Sequence, residues 1–451
     1  MHGADWTVRS LRVRVAFVSP TMKTALQLAS AFFAIAASAP SALAGVITVG
    51  GPNPAFGDIP PAIAAAVDGD VLLVRAGTYS QFTIDGKAIS IVANTGALVT
   101  IGGPCTLRNL PAGKTVLITG LTVTGAYGGS AFTFNNNAGH VRVQQLTASA
   151  SQERFSSNWY AAAVTQCADL SFVDCHFFGR AGEAGSSFGP GHQGEPAIVA
   201  TGGKLTLHDS TVVGGHGIDG YYNGQNVIPG QPGAAALVGS SVIVARGCSF
   251  TGGVGGRGTD GVGCGNPNFP PTPGGAGGAG ISLQGAGSSG WLIATSAAGG
   301  AGGMGGLTGC GGQLPQAPSG PSLLDPSNVI TTQPGPTIQL VVPQPAREGQ
   351  NLALHFIGPP GASALLLIGN GGAGYQTIPS LKDVLLVQPS LRRLAYGPIP
   401  PSGVLDVNLF VGDLGPGVDV RLVHTQAVFI GPTGQSHLAS PAVVEMLDSA
   451  F

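Results

Sequence analysis

The sequence predicts an all-β protein in which a parallel β-solenoid is followed by a small antiparallel β-sandwich. Short apolar runs separated by Gly and Asp, together with a unit that recurs between residues 116 and 301, predict the solenoid. A change of composition after residue 336 predicts the sandwich. The 451 residues include 75 Gly and only 9% charged residues, whereas an average globular protein has roughly 7% Gly and 25% charged residues. This composition favours a repeat architecture over an ordinary globular core.

Residues 1–44 have the pattern of a secretory signal. Met22-Lys23 leads into the apolar run "TALQLASAFFAIAASAPSALA", which ends at Ala44 in the small-x-small pattern that signal peptidase cleaves. We therefore expect translation to start at Met22 and the signal to be cleaved after Ala44. The mature chain would be secreted or held at the cell surface, without a transmembrane segment. The alternative is a short membrane anchor, although polar residues and a proline interrupt the run.

A short helix is predicted over residues 59–67. Asp58 can cap its N-terminus, two prolines fall in its first turn, and Gly69 suits its end. Such a helix would cover the open end of a solenoid, where strand edges are otherwise unpaired.

The recurring unit reads apolar, x, apolar, x, turn, and then small or apolar. Period-two alternation is typical of half-buried strands, and Gly or Asp at the fifth position suits a corner with left-handed backbone. Each unit can bury its apolar edge only against its neighbours, so the pattern predicts stacked coils. The first position is occupied by Val116, Val141, Leu170, Leu205, Ile243 and Leu292, and the fifth by Gly120, Gln145, Asp174, Asp209, Gly247 and Ser296.

A second strand precedes each unit, as in "YAAAVTQ", "PAIVATG", "AAALVGS" and "AGISLQG". With the opening stretch "IPPAIAAAVDGDVLLVRAGTYSQFTIDGKAISIVAN", this pattern resembles the right-handed parallel β-helix of the pectate-lyase-like superfamily. The resemblance implies a right-handed parallel β-helix over residues 45–314. It implies little about activity, because the superfamily includes lyases, hydrolases, adhesins and inert spacers.

Successive units move farther apart along the chain, so the extra residues must loop out. The Gly-rich insertions cover residues 180–195, 214–233, 252–278 and 299–320 and follow the same edge of every coil. They are predicted to form a contiguous wall on one side of the column, where repeat proteins often bind ligands. The alternative is that these are permissive sites where Gly-rich sequence accumulates without function.

The wall contains the candidate binding residues. Aromatic faces beside polar groups suit sugar stacking and hydrogen bonding, but the two tyrosines could also only pin their own loop onto the column. The predicted ligand-binding residues are His216, Asp219, Tyr221, Tyr222 and Arg257. Asp219 and Asp260 form the one carboxylate pair that we consider for catalysis.

Catalysis is otherwise not expected from the sequence. "FVDCHFFG" and "GGHGIDG" resemble an Asp-His motif of pectate lyases and a Gly-His-Gly motif of polygalacturonases, but the other residues of those sites are missing. Asp174 and Asp209 occupy the corner position, which predicts a conformational role. No cofactor or metal site is predicted, and the net charge of -2 gives no reason to expect nucleic acid as a partner.

Four of the six cysteines lie where the sequence predicts their state. Cys264 and Cys310 lie in Gly-rich insertions and are predicted to form a disulfide in an oxidising compartment. Cys175 and Cys248 share the inward column two coils apart, roughly 9.6 Å by strand spacing, and are predicted to be free thiols in the core.

Residues 315–336 are rich in Pro and are predicted to be a linker, followed by a β-sandwich over residues 337–451. Within it, "GPPGASALLLIG" and "HTQAVFIGPTGQSHLASPAVVEML" resemble the C-terminal module found on many large secreted proteins of planctomycete-type bacteria. Taken together, the sequence favours a secreted or surface β-helix with a binding or structural role, in contact with polysaccharide or another cell-surface component. The alternatives are a polysaccharide lyase or glycoside hydrolase, and an adhesin or matrix component.

Overall fold

The computed structural model describes residues 44–125, 129–151, 159–183, 193–222, 226–263, 268–369, 373–378, 383–388 and 391–451. Nearly all regular structure in these residues is β, as the sequence predicts. No helix in these ranges has the length and apolarity needed to cross a membrane. The predicted signal at residues 1–44 lies outside the described residues, apart from Ala44.

The first part of the chain is a parallel β-helix. It contains one short helix, α1 at Ile59–Ala65. Its strands are β1 Val46–Val49, β2 Val71–Val74, β3 Gly77–Ser80, β4 Thr83–Asp85, β5 Ser90–Ala93, β6 Val99–Gly102, β7 Cys105–Arg108, β8 Thr115–Thr119, β9 Leu121–Thr124, β10 Phe132–Asn135, β11 His140–Gln144, β12 Thr147–Ser149, β13 Ala162–Val173, β14 His176–Phe178, β15 Ile198–His208, β16 Thr211–Val213, β17 Tyr221–Tyr222, β18 Val227–Ile228, β19 Leu237–Arg246, β20 Ser249–Thr251, β21 Ile281–Leu283, β22 Ser289–Ile293, β23 Ser296–Ala298, β24 Leu323–Leu324 and β25 Ile330–Gln333.

The coils stack through two parallel sheets that meet at a corner. The larger sheet runs in the order β1-β2-β5-β8-β11-β13-β15-β19-β21-β24, and the smaller one, which follows the corner, in the order β23-β20-β16-β14-β12-β9-β6-β3. Val141 pairs with both Val116 and Leu170. The residues at the first position of the repeat therefore stack in register, and we call this stack the first column. The second strand of each coil is also present, and in β13, β15 and β19 it is continuous with the first-column strand.

Corner geometry follows the predicted fifth position in five coils. Gly120, Gln145, Asp174, Asp209 and Gly247 all have left-handed backbone, with φ between 49° and 75°. The last predicted unit differs from the prediction, because Leu292 pairs with Ala245, the third residue of the preceding unit, and the left-handed residue is Ala294, at φ 47°. The predicted corner at Ser296 is therefore wrong by two residues. Gly290 occupies the first column there. Because glycine has no side chain, the apolar pattern of the sequence does not show this register.

The helix α1 covers the start of the column, as predicted, and ends slightly earlier than expected. The Asp58 carboxylate accepts a hydrogen bond from Ile59 N at 2.8 Å. Lys87 donates from its ammonium group to three carbonyls at the end of the helix, including Ala66 O at 2.8 Å, which is where a helix dipole favours a cation.

The predicted Pro-rich linker is part of the β-helix. β24 pairs with β21 through Ile281 and Leu323, and β25 pairs with β22 through Trp291 and Thr331. These strands form a last short coil, since the apolar residues between the prolines extend the same parallel sheet. Domain boundaries based on Pro content alone therefore place the end of the solenoid too early.

The rest of the chain forms two facing sheets that are antiparallel apart from one parallel pair of strands. The strands are β26 Gln339–Val341, β27 Ala346–Arg347, β28 Asn351–Ile357, β29 Ser363–Gly369, β30 Ala373–Ile378, β31 Asp383–Val387, β32 Leu391–Pro398, β33 Val404–Phe410, β34 Val420–Ile430 and β35 Ser436–Leu447. One sheet has the order β26-β28-β33 and the other the order β27-β35-β34-β29-β32. They share one apolar core, which includes Leu354, Phe356 and Phe429, and β30 and β31 form a separate hairpin.

The sandwich packs on the outward side of the first-column strands. Apolar side chains of β2 and β5 contact Val420 and Leu447, and Val244 contacts Val384 and Leu386 of the hairpin strand β31. Gln144 joins the two parts by donating to Val443 O and accepting from Val443 N, both at 3.0 Å. The outward side of these strands is consequently covered over the middle coils.

Candidate functional site

The Gly-rich insertions form an ordered lattice of extended segments. Each insertion has an outgoing segment and a returning segment. The outgoing segments are 214–222, 252–261 and 299–307, and the returning segments are 229–235, 272–279 and 314–320. We call this lattice the glycine wall.

Direct backbone hydrogen bonds join neighbouring segments of the glycine wall every third residue. Gly217 N and Gly220 N donate to Val254 O and Arg257 O, and the next pair of outgoing segments repeats this pattern. Bonds between the two layers, such as Gly253 N to Ala234 O at 2.8 Å, have the same period. A three-residue period with hydrogen bonds only between segments is the geometry of polyproline II chains packed side by side.

Glycine is required in the glycine wall because there is no space for a side chain. A β-carbon on Gly253 would overlap Gly215 O, and one on Gly300 would overlap Gly253 O. Neither glycine has left-handed backbone, so close packing accounts for both. Collagen imposes the same requirement at its crowded axis.

The third residue of each turn faces outward and carries the side chains. In the three outgoing segments these positions are exposed, whereas the positions between them are mostly buried. They form a surface of three rows, which we call the exposed grid. It consists of His216, Asp219, Tyr222, Val254, Arg257, Asp260, Ala301, Met304 and Leu307.

Side chains of the exposed grid bind outward-facing amides of the neighbouring segment. His216 Nδ1 accepts from Val254 N at 3.1 Å, so its proton is on Nε2, and Asp219 Oδ1 accepts from Arg257 N at 2.7 Å. Asp260 Oδ1 accepts from Leu307 N at 2.7 Å and from Arg257 Nη2 at 2.5 Å. The bond from Leu307 N and the nearby Arg257 guanidinium both lower the pKa of Asp260.

The structure brings five of the six predicted wall residues onto one surface. These are His216, Asp219, Tyr222, Arg257 and Asp260. Tyr221 lies beside them in the hairpin of β17 and β18, where it pairs with Ile228. The Tyr222 ring packs edge-on against Phe269 at 4.8 Å, so it is anchored on the next insertion, and 46% of the residue remains exposed.

The sequence-based search missed the apolar members of the exposed grid. Val254, Met304 and Leu307 are 41–46% exposed. The sequence does contain a pattern that indicates this surface. In the three-residue repeats "GGVGGRG" and "GGAGGMGGL", the residue after each Gly pair faces outward.

The edge of the glycine wall is closed by side chains. Gln316 Nε2 donates to Gly302 O at 2.7 Å, and Gln313 Nε2 donates to Gly305 O at 3.0 Å. These carbonyls belong to the last outgoing segment. The two glutamines therefore satisfy carbonyls that have no further coil beside them.

Charged groups are also buried where the sandwich covers the β-helix. Arg142 Nη1 donates to Asp169 Oδ1 at 2.9 Å and Arg142 Nη2 donates to Gly374 O at 3.0 Å, while His140 Nδ1 lies 2.6 Å from Asp169 Oδ2. Burial would raise the pKa of Asp169, but Arg142 and His140 hold it below its usual value. Asp209 is nearby, and burial and the charge of Asp174 raise its pKa to about 7.

Asp174 and Asp209 have the conformational role predicted for the corner, because both have left-handed backbone. The described residues contain no cluster of three His, Cys, Asp or Glu side chains arranged to hold a metal ion. Cys175 and Cys248 are free thiols in the core, as predicted. Cys264 lies outside the described residues, so its disulfide with Cys310 stays a prediction.

Comparison with known proteins gives no assignment of function. No protein-family model matches the chain, and no curated protein matches it.

Proposed function

We propose that the protein is a secreted or cell-surface binding protein and that the exposed grid is its contact surface for polysaccharide. The observation that carries this proposal is the arrangement of His216, Asp219, Tyr222, Arg257 and Asp260 on one exposed surface. A half-exposed tyrosine ring beside polar groups suits the apolar face and hydroxyl groups of a sugar. We also propose that the β-helix is right-handed and related to the pectate-lyase-like superfamily.

The arrangement of the backbone supports a role in binding. The grid residues are held by backbone hydrogen bonds at every turn, so a ligand would meet side chains on a fixed framework and little conformational freedom would be lost on binding. In contrast, the outward side of the first-column strands is covered by the sandwich, and Arg142, His208 and Arg246 there are at most 2% exposed.

A binding assay with one aromatic variant tests the proposal. The purified protein is titrated with a panel of neutral and acidic polysaccharides. Tyr222→Ala should weaken binding by roughly fivefold, since an aromatic contact contributes about 0.5–1.5 kcal/mol. Leu98→Ala is the matched control, because Leu98 is 70% exposed and belongs to the β-helix outside the glycine wall. Equal affinity of both variants and the parent protein would show that the grid is not the contact surface.

The alternative function, a polysaccharide lyase or hydrolase, is tested in the same incubations by assaying new reducing or unsaturated ends. The pair Asp219 and Asp260 is the only candidate that the sequence offered. Both carboxylates accept hydrogen bonds from backbone amides, and the lowered pKa of Asp260 is opposite to what a general acid needs. Turnover that falls at least about a hundredfold in Asp260→Asn would replace the binding proposal with the enzymatic one.

A further inference from the structure

We propose that the exposed grid recognises the flat surface of an ordered, insoluble neutral glycan and does not recognise a single dissolved chain. The inference rests on the proposed function and names the physical form of its ligand. It comes from the shape, the period and the charge of the grid.

The first argument is shape. A single dissolved chain is usually bound in a cleft that surrounds most of its surface. The three outgoing segments under the grid lie side by side and are joined by direct hydrogen bonds, Gly255 N to Ala301 O at 2.9 Å and Gly258 N to Met304 O at 2.8 Å, so the backbone leaves no gap between neighbouring rows for a chain to enter. Only one side chain in three projects from them. Such a surface can contact many points at once only on a partner that is itself flat.

The second argument is regularity in two directions. Along one segment, the outward residues Val254, Arg257 and Asp260 are separated by one turn, or about 9.3 Å for three residues of polyproline II. Across the segments, the hydrogen bonds keep equivalent positions in register, as His216 with Val254 and Asp260 with Leu307. A rigid two-dimensional array matches a partner that also repeats in two dimensions, and a solid polymer surface does so.

The third argument is charge and polarity. Arg257 is paired with Asp260, and Asp219 is the other carboxylate of the grid, so the surface lacks the excess of cations that a polyanion would need. Val254, Met304 and Leu307 add apolar area that is 41–46% exposed. Apolar and hydrogen-bonding groups on one surface fit the packed chains of a neutral β-linked glycan, which expose both ring faces and hydroxyl groups.

Depletion from solution tests the inference. The intact protein is mixed with microcrystalline cellulose or crystalline chitin, and the unbound fraction is measured after centrifugation. We expect depletion by at least one of these solids, and no competition from soluble oligosaccharides of the same sugar. If soluble chains compete fully, the inference fails but the proposed function stands. If neither solids nor soluble polysaccharides bind, the proposed function itself fails.

A protrusion on the grid separates flat-surface binding from chain binding. Ala301 is exposed in the last outgoing segment, so Ala301→Trp should fold normally and raise a bulky ring above the plane. We expect at least a tenfold lower partition onto the solid, because the neighbouring rows can no longer touch it. Leu98→Trp is the control for a new exposed ring elsewhere. Unchanged or stronger binding of Ala301→Trp, with Leu98→Trp equal to the parent protein, would overturn the inference.

Discussion

The glycines of the glycine wall tolerate no side chain, although none of them needs left-handed backbone to do its work. A β-carbon at Gly253 would overlap Gly215 O, and one at Gly256 would overlap Ile218 O. Both oxygens are held in place because each accepts a hydrogen bond from a backbone amide of the returning segment 229–235. Glycine usually lowers the stability of a folded protein, because it loses more conformational freedom on folding than any other residue. Here, that cost is offset by hydrogen bonds that only glycine permits.

A single alanine should therefore be costly in the glycine wall. We expect Gly253→Ala to lower the free energy of unfolding by about 1–3 kcal/mol, the usual range for overpacking. Gly102→Ala is the matched control, because a β-carbon at Gly102 meets nothing within 4 Å. Urea denaturation measures both. A Gly253→Ala protein as stable as the control would mean that the lattice is looser than its hydrogen bonds indicate.

Cysteine reactivity is the second prediction at the residue scale. Burial raises the pKa values of Cys105 and Cys175 to about 12, so neither forms the thiolate that an alkylating reagent attacks. We expect no alkylation of these thiols in the native protein at pH 8 and full alkylation after unfolding, and peptide mapping measures both results.

The same mapping checks the predicted disulfide, because a non-reducing digest should contain a peptide that joins Cys264 to Cys310. Alkylation of Cys264 in the native protein would disprove the disulfide.

At the scale of elements, the insertions are part of the folded structure and are not independent loops. The outgoing segment 252–261 bonds with the segments before and after it, whereas the last outgoing segment 299–307 has a neighbouring coil on one side only. In a repeat protein, the stability of each unit depends on its interfaces with its neighbours. The cost of trimming an insertion should thus depend on its position in the stack.

We expect a short turn in place of 252–278 to destabilise the protein more than a short turn in place of 299–320. The first change removes two interfaces and leaves the last insertion unpaired, and the second removes one interface. Both variants should keep the β-helix, because the buried column residues of each coil remain. Thermal unfolding followed by circular dichroism compares them. An equal loss in the two variants would indicate that each insertion is stabilised within itself.

The elements that the sequence predicted are those whose side chains carry the signal. Alternating residues such as Val141 and Val143 show the stacked strands, and Asp58 shows the start of α1. The last predicted unit was misplaced because Gly290 and Ala294 carry no such signal. The glycine wall was predicted in position but not in structure, because its order comes from backbone hydrogen bonds between distant segments, and a sequence rich in Gly gives no direct indication of them.

At the scale of the whole molecule, three buried ionisable groups and the partly buried Asp209 lie in or near the contact of the sandwich with the β-helix and link stability to pH. Burial raises the pKa of Glu445 from 4.5 to about 8, and burial with the charge of Asp174 raises that of Asp209 from 3.8 to about 7. Burial, with nearby arginines, lowers the pKa of His208 from 6.5 to about 3 and that of His424 from 6.5 to about 4. All four groups are therefore uncharged in the folded protein near pH 5.5.

The two kinds of group act in opposite directions. The carboxyl pKa values are higher in the folded protein, so their contribution to stability is fully present below about pH 4 and is lost as the pH rises through 7 and 8. The histidine pKa values are lower in the folded protein, so their contribution is fully present above pH 6.5 and is lost as the pH falls through 4 and 3. Between about pH 4 and pH 6.5, the carboxyl contribution falls with rising pH while the histidine contribution rises, and the two changes nearly cancel.

We therefore expect the free energy of unfolding to be highest near about pH 5.5 and to fall on both sides. Glu445→Gln removes one carboxyl group but keeps a similar shape, so the fall above pH 6 should become shallower and the maximum should move to about pH 7. Asp406→Asn is the control, because the Asp406 side chain is 73% exposed. Urea unfolding from pH 4 to pH 9 measures the three profiles. If the Glu445→Gln profile keeps its maximum near the parent value, the carboxyl group of Glu445 is already ionised in the folded protein at that pH, and burial does not raise its pKa.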